Sequence, residues 1–391
     1  MSTAATMALP RVQRPILVLS VVAAVLLFVH LMDYGLRHAV LLPIGIGLGV
    51  SLYHAAFGFS AAYRRALVER DISGIAAQLV MIAIAIVLFA PVLAQGDAFG
   101  RGIAGAVAPV SVSMALGAFV FGVGMQLAGG CASGTLYTVG GGSTRMVVVL
   151  AFFCVGGFWA SLDLHWWSAL PGIGAVSLPE AAGWEIALPG QLAALALIYA
   201  ALRLAGGRVG RTLGWEDGFA VRALVRGPWP LLLSAALLAL GNWLTLLAAG
   251  HPWSITWAFA LWPAKIATTL GWDPATSPFW SGGFQQAALA RPVLADTVSV
   301  MNIGIVLGAL AAASLAGKWA PAARTPAGSL IAAIVGGLML GCGARLAYGC
   351  NIGAFFSGIA SGSLHGWVWI AAAAFGTVVG VRLRPLFRLA K

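Results

Sequence analysis

The 391-residue chain has little charge: Asp, Glu, Lys and Arg together make up 8% of it, against roughly 25% in soluble domains. With 61% hydrophobic residues, this inventory cannot cover a water-soluble surface. Acids are the scarcer sign, 11 against 22 Lys and Arg, which leaves a net charge of +11. The arginines fall between apolar runs, so they read as topology signals rather than as a nucleic-acid-binding face. Four cysteines occur and no Cys-x-x-Cys, which argues against a disulfide framework, a zinc ribbon or a thioredoxin-type pair. There is no Walker-type loop and no series of intramembrane carboxylates such as proton pumps use. No cofactor, no metal and no enzymatic activity is therefore expected.

What is there is continuous apolar sequence, as in Ile16–His30 and Leu231–Leu240. An outer-membrane barrel would instead show short alternating segments. A spanning helix takes about 20 residues, so the length allows roughly nine to eleven spans. The expected fold is an all-α polytopic membrane protein. Its parts are a cytoplasmic tail (1–14), a first transmembrane half (15–205), a basic linker (206–229) and a second half (230–391). Arg203, Arg208, Arg211, Arg222 and Arg226 gather around that linker and place it in the cytoplasm, as Arg382, Arg384, Arg388 and Lys391 place the C-terminus. The N-terminus then falls on the same side. Val40–Ser60 reads as one span, Leu192–Ala205 as another, and Trp253–Leu270 as an interrupted one.

Two copies of one pattern stand out. Gly122-Val-Gly-Met-Gln126-Leu-Ala-Gly-Gly-Cys131-Ala-Ser-Gly134 and Gly341-Cys-Gly-Ala-Arg345-Leu-Ala-Tyr-Gly-Cys350-Asn-Ile-Gly353 align without a gap at a constant offset of 219. Their glycines cannot sustain a good helix, and irregular backbone at membrane depth survives only inside protein or beside a cavity. Each copy is therefore a broken or re-entrant element. The basic residues direct the first copy inward and the second outward, so the halves are pseudo-symmetric and inverted, with the breaks meeting near the bilayer midplane.

These motifs, with Ala-x-x-Ser-Gly-Ile-Ala-Ser-Gly-Ser at 354–363, resemble the YeeE/YedE sulfur-transport family over about residues 40–385. The resemblance implies a bacterial inner-membrane importer of thiosulfate, hourglass-shaped, with Cys131 and Cys350 as central thiols. It also suggests a small cytoplasmic TusA-type sulfur carrier as partner at the Arg203–Arg226 face. The sequence departs from the family at Gly58, where a third cysteine is often found. Rival readings are transport of a selenium compound, sulfide or a thiolated metabolite, a membrane-embedded sulfurtransferase working through a Cys persulfide, and a non-transporting subunit.

Thiosulfate is a dianion that hydrocarbon excludes. A pathway must replace its water without trapping it. A thiol kept from water stays neutral, and a neutral S–H can touch a dianion that a thiolate repels. The candidate pathway residues are Cys131, Cys350, Cys342, Gln126, Arg345, Gly130, Gly134, Gly349, Asn351, Gly353 and Tyr137. Cys154 reads as a small packing residue.

Overall fold

The computed structural model describes residues 11–215, 219–321 and 324–390. The long helices are α1 (Arg14–Leu31), α2 (Leu36–His54), α3 (Phe59–Val68), α4 (Ser73–Gln95), α5 (Val112–Ala128), α6 (Ala132–Gly140) and α7 (Thr144–Leu162). Then follow α8 (Trp184–Leu204), α9 (Leu231–Ala249), α10 (Thr256–Thr269), α11 (Gly283–Ala290), α12 (Thr297–Ala316) and α13 (Ala327–Leu346). A π-helical turn, Asn351–Phe356, runs on into Ser357–Ala360 as α14, and α15 is Leu364–Leu383. Among the described residues, ten helical stretches are long and apolar enough to cross a membrane. Among the described residues, the strands form two antiparallel ribbons, Asp97–Ala98 with Arg101–Gly102 and Pro109–Ser111 with Gly172–Ala175.

Two boundaries differ from the sequence reading. The helix expected to start at Leu192 already starts at Trp184 and carries Pro189 inside it. The interrupted span at Trp253–Leu270 is the 14-residue α10, with Pro263 inside. It is too short to count among the ten, so residues 250–296 contribute no crossing helix.

Without a hydrophobic force between helices in lipid, packing depends on close backbone approach, which small residues permit. Here glycine supplies it. A Cβ built on Gly49 would lie 2.1 Å from the Ile305 carbonyl oxygen, and one on Gly308 would lie 2.0 Å from that of Ile46. These two contacts seam α2 to α12. Gly376 against Phe119 and Gly122 against Ala373 do the same for α15 and α5, at 2.0 and 2.2 Å.

The packing contacts come in matched pairs. α2 and α1 lie on α12, while α9 and α8 lie on α4. α13 packs on α7 and α15 on α5; α10 packs on α7 and α3 on α15; α6 meets α12 and α14 meets α4. At the centre α5 crosses α13, α2 crosses α9, and α6 touches the π-helical turn before α14.

The loops collect at two ends. At one, Gln13 bonds the Ser314 and Trp319 backbone, Arg145 bonds Ser329, and Ile72 bonds Arg208. At the other, Ala104 bonds Gly250, Ala106 bonds Ser361, and Leu178 bonds Gly362.

Candidate functional site

α5 ends at Gly129, whose φ of +79° and N–H bond to the Met125 carbonyl close the helix in the left-handed conformation glycine favours. The equivalent position in the second copy, Tyr348, has φ +58°, and Gly349 follows at φ +148°. Only glycine suits that position: its Cβ would also press the Ala354 nitrogen at 2.9 Å. Both breaks then deliver a cysteine in the same extended conformation. Cys131 has φ −91°, ψ −167° and Cys350 φ −103°, ψ −167°.

Each cysteine is the N-cap of the short helix after it. The Cys350 sulfur accepts from the Ile352 N–H at 3.4 Å, and Cys131 Sγ lies 3.3 Å from Ser133 Oγ. Both side chains are buried. A sulfur that faces helix N–H groups leaves its own S–H free to point elsewhere. Since α6 and the π-helical turn touch, two helical segments that each start at a buried thiol, with the positive end of its dipole there, meet inside the protein. Cys131 lies within electrostatic reach of Cys350, Tyr63 and Tyr137.

Several other side chains belong to this cluster. Asn351 donates to the Tyr63 hydroxyl at 3.4 Å, and its second amide atom has no protein partner. The Tyr137 hydroxyl lies 3.4 Å from where a Cβ on Gly58 would stand, so the family's third cysteine position opens onto the same region. Ser60 donates to the Met125 carbonyl at 2.8 Å, and Gln126 donates to the Ser60 carbonyl at 3.1 Å. These bonds hold the start of α3 against the end of α5. Gly130 and Gly134 are buried beside Cys131; a Cβ on Gly134 would sit 3.6 Å from its sulfur.

Two candidates lie apart from the cluster. Cys342 faces α7, where its thiol donates to the Gly156 carbonyl at 3.4 Å. Arg345 matches Gln126 in sequence but places its guanidinium over the Phe279 ring, 4.9 Å from the centroid. Lys265 caps the end of α11 through the Leu289 and Arg291 carbonyls.

The sequence reading missed two further breaks. Val40–Ser60 lies within one candidate span but is not one continuous helix: α2 stops at His54 and α3 starts at Phe59. The matching break between α9 and α10 is pinned by Asn242, which accepts from the Trp253 N–H at 2.8 Å and donates to Ser357 Oγ at 3.1 Å. Asn302 holds the Ile255 carbonyl at 3.0 Å. Its neighbour Ser254 lies against Gly353, 3.4 Å from a Cβ built there.

Ser254 is also a wall of a cavity of about 630 Å³. Arg37, Arg101, Arg291, His38 and His251 line it, and Asp296 is its single acid. That acid is already engaged, capping α12 through the Ser299 N–H and hydroxyl at 2.8 and 2.6 Å and accepting from Trp257. Among the described residues the ion pairs are His30–Asp33 and Arg65–Asp71, so none of the three arginines is neutralised by a carboxylate. Burial lowers the His251 pKa below the ordinary imidazole value, Arg101 adding to the effect and the Pro252 carbonyl and Asp296 opposing it. The cavity is thus an electropositive vestibule whose wall residue Ser254 abuts the second Cys motif. No loop that builds it carries a repeated pattern, so only the fold brings its arginines together. Among the described residues no group of three or more His, Cys, Asp or Glu is placed to hold a metal ion.

The thiosulfate transporter TsuA of Spirochaeta thermophila is 27% identical over 342 residues, 84% of this chain and 93% of that protein. The probable transporter YedE of Escherichia coli is 34% identical over 142 residues, 36% of this chain and 34% of its own length. The YedE of Salmonella typhimurium matches to the same extent. The sulphur transport family matches residues 54–379, a stretch that includes both Cys motifs and all four helix breaks, and this multi-pass membrane protein belongs to that family.

Proposed function

We propose that the chain carries thiosulfate, or a closely related sulfur anion, inward across the bacterial inner membrane between the Cys131 and Cys350 thiols. The observation that carries this reading is the pair of buried thiols capping two helices that touch. The TsuA relative supports the choice of solute. The anion leaves water in the vestibule, passes Ser254, and meets S–H and N–H donors that exchange for its hydration shell without binding it covalently.

The two halves, 15–205 and 230–391, are read as oppositely directed. In support of a pseudo-twofold relation, most of the larger helix contacts keep a counterpart when α1 to α7 are exchanged for α8, α9, α10, α12, α13, α14 and α15. The Cys motifs also lie on the fourth and ninth of ten candidate spans, an odd separation. The arginine-rich end that carries both termini and the 206–229 linker is then cytoplasmic, and the vestibule faces outward. A TusA-type carrier fits the basic Arg203–Arg226 face. If replacing the linker's arginines leaves both carrier binding and uptake unchanged, that assignment fails.

The vestibule arginines test the direction of approach. A dianion about 8 Å from one guanidinium gains ~1 kcal/mol in water, roughly sixfold in apparent affinity. Arg101→Gln or Arg291→Gln is therefore expected to raise the half-saturating thiosulfate concentration about that much at low salt while leaving the maximal rate unchanged. The difference shrinks as salt screens it. Uptake kinetics at two ionic strengths measure this; an unchanged half-saturation at low salt removes the vestibule from the pathway.

A further inference from the structure

A second cavity, of about 430 Å³, is lined by residues along the lengths of α3, α4, α8 and α15. Its walls are apolar and come from α4, α8 and α15, with Leu79, Leu195, Leu202 and Ile370 among them. All three helices are candidate membrane spans. The floor is formed by Tyr63 and Phe355. One end is different. Arg70 lines the mouth, its guanidinium lying against Gly206 at the end of α8. Arg203, Arg208 and Arg211 are exposed on the adjoining segment. Half-buried Asp71 is bound to Ser73 at 2.5 Å and paired with Arg65, and exposed Glu69 is in no ion pair among the described residues, so two acids stand against the four arginines and the rim keeps a positive excess.

An apolar trough at membrane depth with unpaired arginines at one rim matches one occupant in both chemistry and layout. We propose that this groove binds an anionic phospholipid from the leaflet on the linker side. One acyl chain lies between α4, α8 and α15, and the phosphate sits at Arg70. The volume falls within the range of small-molecule sites, and the charge order follows the bilayer: headgroup at the rim, chain below it. Tyr63 gives the site a consequence. It forms the groove floor on one side and accepts the Asn351 hydrogen bond on the other. The bound chain therefore packs one residue away from the Cys350 motif and holds Tyr63 in place beneath it.

The test is native mass spectrometry of the full chain released from nanodiscs of phosphatidylglycerol or phosphatidylcholine. The wild type should retain phosphatidylglycerol about fivefold more than phosphatidylcholine, the preference one surface arginine confers. Arg70→Gln should equalise the two headgroups without removing the lipid. Ala374→Phe, at an exposed groove position, should abolish retention of both. A diazirine-bearing acyl chain should label 195–207 or 367–378 in the wild type, which reads the site without any substitution. Equal retention of both headgroups by the wild type, no loss in Ala374→Phe, or labelling confined to other segments overturns the proposal. None of these readouts depends on the transported solute, so the lipid site and the transport reading fail separately.

Discussion

Cys131→Ala and Cys350→Ala are each expected to lower thiosulfate uptake by roughly tenfold to a hundredfold, and the double variant to abolish growth of a sulfur-starved host on thiosulfate. The magnitude follows from the donor each change removes. A hydrogen bond to a charged group contributes about 1.5–3 kcal/mol, and 1.4 kcal/mol is tenfold in rate or affinity. On the proposed pathway the anion has shed its water at this point, so the lost contact would not be replaced. Both sulfurs lie in fully enclosed positions at equivalent helix starts, so the two single variants should resemble one another. Cys154→Ala, on α7 outside the breaks, should leave uptake intact. Expression and monodispersity of each variant are checked first, because alanine adds no bulk and the helix breaks do not depend on the thiol. Normal growth of both single variants would remove the cysteines from the pathway.

The second large effect is structural. Gly49→Ala should leave almost no folded protein, whereas Gly47→Ala, two residues away on α2, should be neutral or slightly stabilising. A methyl on Gly49 meets the Ile305 backbone, its carbonyl oxygen at 2.1 Å and its carbonyl carbon at 2.8 Å. Backbone in a packed helix cannot turn aside as a side chain can. Overpacking a core costs about 1–3 kcal/mol where side chains can adjust, and here they cannot. A methyl on Gly47 meets nothing within 4 Å, and alanine is favoured over glycine in a helix by about 1 kcal/mol. Fluorescence-detected size exclusion after a heat step compares the two variants. Equal survival would mean that α2 and α12 are not held together by this glycine seam.

The sequence made some of this legible for physical reasons. Crossing helices need long apolar runs, and the runs are there. Glycine breaks a helix, and the doubled Gly-Gly-Cys and Tyr-Gly-Cys turns are where α5 and α13 stop. The breaks after α2 and α9 were not legible. Ala55 and Ala56 are good helix formers, and what ends α2 is tertiary: the Trp229 N–H takes the His54 carbonyl, and Ser60 is held on Met125. Asn242 likewise acts from a distance of eleven residues on Trp253. The vestibule was invisible because its arginines come from segments far apart in sequence: Arg37 from the start of α2, Arg101 from a ribbon strand and Arg291 from the end of α11. Register in the repeat also carried less than it promised. Gln126 and Arg345 are equivalent in sequence, yet one bonds α3 beside the thiols and the other stacks on Phe279.

On the proposed pathway the anion crosses whole, past thiols that do not react with it. The direct measurement uses the purified chain in liposomes with thiosulfate labelled separately at each sulfur, followed by mass spectrometry of Cys131 and Cys350. The account predicts that both labels enter in equal amounts, that both cysteines are recovered as free thiols, and that flux is lost in the double alanine variant. Entry of one sulfur without the other, with a persulfide on either cysteine, would contradict it and identify a sulfurtransferase.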